Sequence, residues 1–264
     1  MSAFAGVDVG STETKAVVLD GDGALLGTAC LATGADLADA ARRSLEEARE
    51  RAGVSARALA FTVGTGYGRF RVAAGDLQVS EISCHARGAR HLLPGARTVL
   101  DMGGHDTKAI RVGDRGEVLD FCMNDKCAAG TGRFLEAAAA ALGLRLDQLG
   151  ARALRARRAV PISTTCTVFA EAEVLCWVGR GRPIGEVLRG VHEAIASRAV
   201  SLLARVGVEP EVALTGGVAR NRAMVAALEA ALGRRLLVSP SAQLAGAIGA
   251  ALFAREAHAA GGPR

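Results

Sequence analysis

An internal repeat is the feature of this sequence that most restricts its fold. Residues 8–17 read DVGSTETKAV and residues 101–110 read DMGGHDTKAI, so both copies fit the pattern D-x-G-x-x-x-T-K-A-(V/I). An apolar run precedes each aspartate, and a second glycine-containing turn follows each copy at the same offset, at 20–23 and 113–116. This alternation of strand and turn signals predicts a three-stranded meander in each copy. We therefore expect two related domains, each presenting an Asp-x-Gly turn.

Strand and helix patterns alternate around the two copies, which is typical of α/β proteins. The main predicted helices lie near 36–52, 81–92, 147–157, 167–178 and 184–206, and two more begin at about 220 and 242. Further strands are predicted near 58–63, 211–217 and 236–238. No low-complexity linker separates the copies. We predict an N-terminal domain at 1–96 and a C-terminal domain at 97–264.

Composition narrows the class of protein. Half of the residues are hydrophobic and 22% are charged, as in folded globular chains. No apolar run reaches the length of a membrane span, and the N-terminal MSAFAGVDVG lacks the basic segment of a signal peptide. We therefore expect a cytoplasmic protein with no membrane partner, in which the six cysteines do not form a disulfide framework.

The basic charge of the chain is a weaker signal. The net charge is +5, but most arginines fall in predicted helices and the chain has one Trp and one Tyr. Nucleic-acid sites usually add stacking aromatic side chains to their cations. A solvated basic face, also suited to docking an acidic partner, is favoured over nucleic-acid binding.

The paired Asp-x-Gly turns suit the phosphates of a nucleotide. Glycine removes side-chain bulk, exposed backbone amides donate to phosphate oxygens, and an aspartate can hold hydrated Mg²⁺. No GxxxxGK(S/T) motif occurs, so a P-loop is excluded. One such turn alone is compatible with an ordinary turn, whereas two copies in register, with a third glycine pair in LTGGVARN (214–221), favour an ATP site. In this interpretation the two turns hold the phosphates and Gly216-Gly217 lies under the adenosine.

The motifs together resemble the actin/Hsp70/sugar-kinase nucleotide fold and, more narrowly, the BadF/BadG/BcrA/BcrD-type ATPases. The resemblance covers nearly the whole chain and rests on GVDVGSTETKAV, TGYGR, DMGGHDTKAI, NDKCAAGTGRFLE, STTCTVFAEAEV and LTGGVARN. The two cysteine blocks are specific to this family, which includes activators of 2-hydroxyacyl-CoA dehydratases and ATP-binding subunits of benzoyl-CoA reductases. The resemblance implies two domains of ribonuclease-H-like topology.

Chemistry and resemblance together assign candidate site residues. Asp8 and Asp101 are predicted to bind Mg²⁺ and to act at the phosphates. The residues expected to line the phosphates are Gly10, Ser11, Thr12, Glu13, Thr14, Lys15, Gly103, Gly104 and Asp106. Those expected to face the nucleoside are Gly216, Gly217, Val218, Arg220, Asn221 and Gln243.

Two cysteines stand out because each precedes a predicted helix. Free amides at a helix N-terminus lower a thiol pKa and favour anionic ligands, so we expect Cys127 and Cys166 to be such thiols. Two thiolates cannot supply the four ligands of a [4Fe-4S] cluster, but a two-fold dimer can. The resemblance implies this arrangement, with one [4Fe-4S] cluster held by Cys127 and Cys166 of each of two subunits. The cysteines interpreted as small buried hydrophobic residues are Cys30, Cys84, Cys122 and Cys176.

The resemblance implies an ATP-hydrolysing iron–sulfur activator. It would receive an electron from a reduced ferredoxin or flavodoxin and deliver it, at low potential, to an acyl-CoA dehydratase or reductase component. An ATP-binding subunit of a benzoyl-CoA reductase is the alternative, and whether the dimer is homomeric stays open. A small-molecule kinase of the same fold would need a carboxylate base and a sugar-binding insertion, and a chaperone or scaffold would not use the paired cysteines.

Two positions depart from the family pattern. His105 stands where family members usually carry glutamine, at a position suited to orienting the attacking water. Arg220 replaces a residue that is often neutral and polar. His105 is therefore the third catalytic candidate beside the two aspartates.

Overall fold

The computed structural model describes residues 2–124, 126–163 and 167–262. The chain forms two compact units, which are described separately below. The first unit comprises Met1–Gly95, Val112–Leu119 and Leu244–Arg264, and the second comprises Ala96–Arg111 and Asp120–Gln243. None of the described helices is both long and apolar enough to cross a membrane.

The first unit contains a five-stranded mixed sheet. Its strands are β1 (Ala3–Val9), β2 (Glu13–Leu19), β3 (Leu25–Ala32), β4 (Leu59–Thr65) and β5 (Leu77–Gln78), in the order β3-β2-β1-β4-β5. β1 pairs antiparallel with β2 and parallel with β4. All seven residues of β1 are buried, as expected for a central strand covered on both faces.

Three helices cover this sheet. They are α1 (Leu37–Arg51), α2 (Glu81–Leu92) and, from the C-terminal end of the chain, α8 (Ala245–Ala259). α1 packs on one face through Ala41, Leu45 and Ala48, while Ala247 and Ile248 of α8 pack on the other. The predicted helix at 81–92 is confirmed by α2.

The second unit repeats the sheet topology. Its strands are β6 (Thr98–Met102), β7 (Thr107–Val112), β8 (Val118–Asn124), β9 (Val212–Thr215) and β10 (Leu237–Val238), in the order β10-β9-β6-β7-β8. Its helices are α3 (Gly132–Ala141), α4 (Leu146–Arg155), α5 (Thr167–Gly179), α6 (Ile184–Val206) and α7 (Arg222–Leu232). The two sheets share one strand order, and in each the central strand pairs antiparallel on one side and parallel on the other, which confirms the predicted pair of ribonuclease-H-like domains.

Strand register extends the internal repeat beyond the sequence match. Asp8 pairs with Lys15 on one side and Thr65 on the other, and Asp101 pairs with Lys108 and Thr215 in the same way. Each unit therefore presents the same group at the end of its central strand, namely an aspartate between a lysine and a threonine.

A division of the chain at residue 96 assigns two segments to the second domain, but in the structure they lie in the first unit. The segments 112–119 and 244–264 lie in the first unit rather than in a domain spanning 97–264. Arg90 donates to the carbonyl of Asp114, which holds the first segment against α2. The segment 244–264 contains α8, which lies so close to α2 that a Cβ on Gly249 would be 1.8 Å from the carbonyl oxygen of Cys84.

Candidate functional site

The two Asp-x-Gly motifs form matching hairpin turns. The amide of Gly10 donates to the carbonyl of Glu13 at 3.2 Å, and the amide of Gly103 donates to the carbonyl of Asp106 at 3.0 Å. The tips are Ser11-Thr12 in the first unit and Gly104-His105 in the second, and all but Gly104 are exposed. Each turn thus offers accessible backbone and polar side chains beside the end of a central strand.

Asp101 is buried in a network of charged and polar groups. The whole residue is only 1% exposed. Its Oδ1 accepts from the Thr215 hydroxyl at 2.8 Å, and its Oδ2 lies 3.5 Å from Nζ of Lys108. The same Nζ lies 2.7 Å from Oδ1 of Asp106, at the turn. Two carboxylates share one buried ammonium, which leaves one net negative charge. This donor set fits a hydrated Mg²⁺, which is usually bound by one or two carboxylates together with substrate phosphates.

Asp8 occupies the equivalent place in different surroundings. The residue is 5% exposed, and its two carboxylate oxygens face the backbones of Gly66 and Gly246. A Cβ on Gly66 would be 2.4 Å from Oδ1, and one on Gly246 would be 2.7 Å from Oδ2. The carboxylate therefore fits only against glycine at both positions.

The repeated lysines are used differently in the two units. Lys108 is 3% exposed in its side chain and faces Asp101 and Asp106, whereas Lys15 is 14% exposed and donates to the carbonyl of Glu13 at 3.1 Å. Lys15 is therefore the more accessible cation and the better placed to meet a phosphate. Thr14 is fully buried, with its hydroxyl 2.9 Å from that of Thr33, so its side chain supports the hairpin from inside.

A third glycine turn follows β9. Gly216 has a φ of +86°, and a Cβ there would be 2.3 Å from the carbonyl oxygen of Met102. Gly66, after β4, has a φ of +85° and makes the same approach to Val9. Threonine followed by a left-handed glycine, at 65–66 and 215–216, is thus a second repeated element. The side-chain role of the threonines was not predicted, although the matching Thr-Gly pairs are visible in the sequence.

Arg220, one of the predicted nucleoside residues, lines a cavity of about 450 Å³, within the size range of small-molecule pockets. Nη1 of Arg220 donates to Oε1 of Gln243 at 3.1 Å, so the structure brings these two predicted residues together. Gly217 opens the short helical turn 217–220, and Val218 is buried within it. The lining combines apolar side chains with four charged or polar ones, which are Arg220, Arg222, Glu229 and Ser239.

Asn221, which is predicted to face the nucleoside, also caps a helix. Its Oδ1 caps α7 by accepting from the amides of Ala223 and Met224, and its Nδ2 lies 3.0 Å from Nε2 of His192. Nδ1 of His192 lies 2.7 Å from the carbonyl of Leu188, so Nδ1 carries the proton and Nε2 accepts from Asn221. Burial lowers the pKa of His192 and favours this neutral form. The side chain of Asn221 thus links the start of α7 to α6.

Cys127 lies in the loop between β8 and α3, half-buried. Nδ2 of Asn124 donates to the carbonyls of Cys127 and Ala129 at 2.8 and 3.2 Å and so fixes the loop. α3 begins at Gly132 with Thr131 as its N-cap. The expectation of free helix amides at the thiol is wrong, because the amides of Gly132 and Arg133 donate to the carbonyls of Gly103 and Gly104.

The other cysteines fall into separate environments. Cys166 lies outside the described residues. Burial raises the pKa of the Cys84 thiol to about 12, so it stays protonated. The interpretation of Cys176 as a buried residue is wrong, because it is exposed on α5, whereas Cys30 and Cys122 are half-buried. Within 2–124, 126–163 and 167–262, no group of three or more His, Cys, Asp or Glu side chains is arranged to hold a metal ion. Cys127 is therefore the one predicted cluster ligand described, and its partial exposure fits a ligand reached from outside the chain.

Comparison with known proteins gives strong matches. The profile of the BadF/BadG/BcrA/BcrD ATPase family matches residues 5–254. The activator of lactoyl-CoA dehydratase from Anaerotignum propionicum is 45% identical over 252 residues, which are 96% of this chain and 97% of the relative.

Two solved structures share the fold closely. The (R)-2-hydroxyglutaryl-CoA dehydratase component A of Acidaminococcus fermentans superposes with a TM-score of 0.95 at 41% identity, over 98% of this chain and 100% of that one. The activator of the 2-hydroxyisocaproyl-CoA dehydratase from Clostridium difficile, solved with bound ADPNP, gives a TM-score of 0.92 at 38% identity, over 98% and 96%. The predicted actin/Hsp70/sugar-kinase-like fold is confirmed.

Proposed function

The chain belongs to the BadF/BadG/BcrA/BcrD ATPase family, and on that premise we propose that it is an ATP-hydrolysing electron-transfer activator. It accepts one electron from a reduced ferredoxin or flavodoxin and passes it, at lower potential, to an enzyme component that dehydrates or reduces an acyl-CoA. A 2-hydroxyacyl-CoA dehydratase component is the favoured recipient. The support for this choice is the high identity, over nearly the whole chain, to an activator of lactoyl-CoA dehydratase.

The observation that carries the ATPase assignment is the matched pair of strand ends. In both units a buried aspartate pairs with a lysine and a threonine and lies below an open hairpin turn. A single such turn would be an ordinary hairpin, but the same three-residue register in two units indicates one repeated task. Anionic phosphates and a divalent cation are the ligands that such a set of amides, lysine and aspartates would bind.

Each of the predicted site residues has its own proposed role in ATP hydrolysis. Asp8 and Asp101 are the residues that would hold Mg²⁺, and the ion would supply positive charge for the phosphates. Lys15 and the exposed turn amides orient the phosphates. His105, at the exposed tip of the second turn, holds the water that attacks the γ-phosphorus, and ADP and inorganic phosphate leave. Arg220 and Gln243 flank the nucleoside cavity, while Asn221 holds the start of α7.

Electron transfer requires a redox group that the side chains alone do not provide. A [4Fe-4S] cluster supplies a one-electron carrier when bound, and Cys127 and Cys166 of each of two identical chains are the residues that hold it. The exposed apolar side chains of α5 support a dimer, because Phe169 is 65% exposed and Leu175 is 48% exposed on the helix that follows Cys166. Such side chains on a free surface favour burial against a second chain.

Anaerobic reconstitution with iron and sulfide tests the proposal. We expect an iron–sulfur absorption band that dithionite bleaches, together with ATP hydrolysis that needs no added phosphoryl acceptor. A small-molecule kinase would bind no cluster and would consume ATP only with an acceptor present. If the reconstituted protein hydrolysed ATP but bound no iron, the ATPase assignment would stand and the electron-transfer assignment would be refuted.

A further inference from the structure

Three hydrogen bonds join the segment that carries Cys127, residues 126–133, to the hairpin of the second Asp-x-Gly motif, which we call the second phosphate turn. The amide of Gly132 donates to Gly103 at 2.9 Å, and the amide of Arg133 donates to Gly104 at 2.8 Å. In the opposite direction the Thr107 hydroxyl donates to the carbonyl of Gly130 at 2.8 Å. Thr107 is 1% exposed, so this bond is shielded from water. The hairpin 101–108 thus holds the segment 126–133 from two sides.

In the first unit a single residue, rather than a separate segment, makes the equivalent links to the hairpin. There Thr14, the repeat counterpart of Thr107, has its hydroxyl 2.9 Å from that of Thr33. Thr33 comes directly after β3, and its own hydroxyl donates to Gly10 at 2.8 Å while its amide donates to Thr12 at 3.0 Å. One threonine therefore completes the first hairpin. In the second unit the residues that do this belong to the cysteine segment.

Packing at the start of α3 leaves little freedom for independent movement. A Cβ on Gly132 would be 3.0 Å from the carbonyl oxygen of Gly103 and 3.2 Å from Cγ2 of Val218. The first residue of α3 therefore contacts both the second phosphate turn and the glycine turn after β9, at 216–220. Close-packed interiors transmit small displacements because few voids absorb them.

Resting on the nucleotide site proposed above, we propose that Thr107 is a positioning residue that couples nucleotide binding at the second turn to the conformation of the Cys127 segment. A ligand shifts a conformational equilibrium only as far as it binds the two states with different affinity. Movement of Gly103 and Gly104 toward a phosphate changes their bonds to Gly132 and Arg133. The Thr107–Gly130 bond makes the preceding loop, which contains Cys127, follow the same hairpin.

Hydrogen–deuterium exchange of the full-length, cluster-free chain tests this coupling, with and without ADPNP. In the wild type we expect ADPNP to change exchange in peptides covering 126–133 by roughly fivefold or more, the size that corresponds to common coupling energies. Thr107→Val removes the hydroxyl and keeps the branched shape, and it should abolish most of this response while ADPNP affinity stays within about twofold, well below that coupling. Thr107→Ser restores the hydroxyl and should restore the response.

Thr98→Val is the matched control. Thr98 is also buried in β6 of the same sheet, and its hydroxyl donates to the carbonyl of Glu209 at 2.7 Å, at the opposite end of the strand from Asp101. Its removal should leave the ADPNP response of 126–133 intact. Thr107→Ala removes the same hydroxyl with less steric demand and serves if Thr107→Val does not fold.

The outcomes separate this inference from the proposed function. A wild type that binds ADPNP without any change at 126–133, or a Thr107→Val variant that responds like the wild type, overturns the role of Thr107 and leaves the ATPase proposal standing. A wild type that binds no ADPNP overturns the proposed function and this inference with it.

Discussion

At the scale of single residues, the carboxylates of Asp8 and Asp101 are held in place by two different means. Thr215 and Lys108 fix the two oxygens of Asp101, whereas the backbones of Gly66 and Gly246 enclose those of Asp8. Burial of a carboxylate is costly unless it is compensated, so both positions indicate a purpose beyond stability. That purpose, in our proposal, is to bind Mg²⁺ and the phosphates of ATP.

Removal of either carboxylate should therefore stop turnover. Asp8→Ala and Asp101→Ala are each expected to lower the rate of ATP hydrolysis at least about a hundredfold, because such charged groups stabilise the transition state by several kcal/mol. Asp22→Ala is the control, since Asp22 is an exposed residue of the next turn and should leave the rate unchanged. Normal hydrolysis by either buried-aspartate variant would remove that residue from the phosphate site.

His192 predicts how stability depends on pH. Burial lowers its pKa below the ordinary value of 6.5, so the unfolded chain takes up the proton more readily than the folded one. Its contribution to stability is therefore complete above about pH 6.5 and is lost as the pH falls below it, by up to about 1.4 kcal/mol per pH unit.

Urea denaturation between pH 7.5 and 5 measures this effect in the wild type and in His192→Gln. The variant should lose less stability than the wild type on acidification. His91, whose pKa is lowered by burial and by Arg255 and Arg87, acts in the same direction in both proteins. The difference between the two proteins therefore reports His192, and equal slopes would contradict the assigned neutral form.

At the scale of secondary-structure elements, helix α8 shows how small residues determine which unit a segment joins. Gly249 faces the backbone of Cys84 on α2, and Ala247 and Ile248 face the first sheet. The sequence periodicity predicted this helix but not the unit it packs against, because that choice depends on close backbone contacts with residues far away in the chain.

Gly249→Ala should destabilise the protein even though alanine is the better helix former. A glycine-to-alanine change inside a helix normally stabilises it by about 1 kcal/mol. Here the new Cβ would overlap the Cys84 carbonyl, and overpacking of this kind costs about 1–3 kcal/mol or more. Gly179→Ala, in α5, is the matched control because nothing lies within 4 Å of its Cβ position. A higher urea midpoint for Gly249→Ala would contradict the close packing of α2 and α8.

The repeated motif made the two central strands and their turns predictable from sequence, and the capping residues and apolar periodicity located most helices. The two-residue strand β5 was missed because Leu77 and Gln78 carry no alternating pattern. Lys108 was passed over as a site residue although its repeat partner Lys15 was chosen, since only the structure shows it buried between Asp101 and Asp106. The hydrogen bond between Asn221 and His192 likewise joins residues that are far apart in the chain, so the sequence pattern does not reveal it.

At the scale of the whole molecule, we propose that the chain is one of two subunits that together transfer an electron. Each unit supplies one phosphate turn, and the second unit alone also carries the Cys127 segment bonded to its turn. One chain offers two of the predicted cluster cysteines, whereas a [4Fe-4S] cluster needs four ligands. In our proposal a shared cluster would therefore couple redox function to dimer formation, and loss of either cysteine type would remove two ligands at once.

Iron, acid-labile sulfide and native mass, measured anaerobically after reconstitution, test this central claim most directly. The wild type should be a dimer holding about four irons per two chains. Cys127→Ser and Cys166→Ser should each lose the whole cluster rather than half of it and should weaken the dimer, whereas Cys176→Ser, at an exposed position on α5, should keep the full iron content. A wild type without iron, or a monomer that holds a complete cluster, would contradict the account.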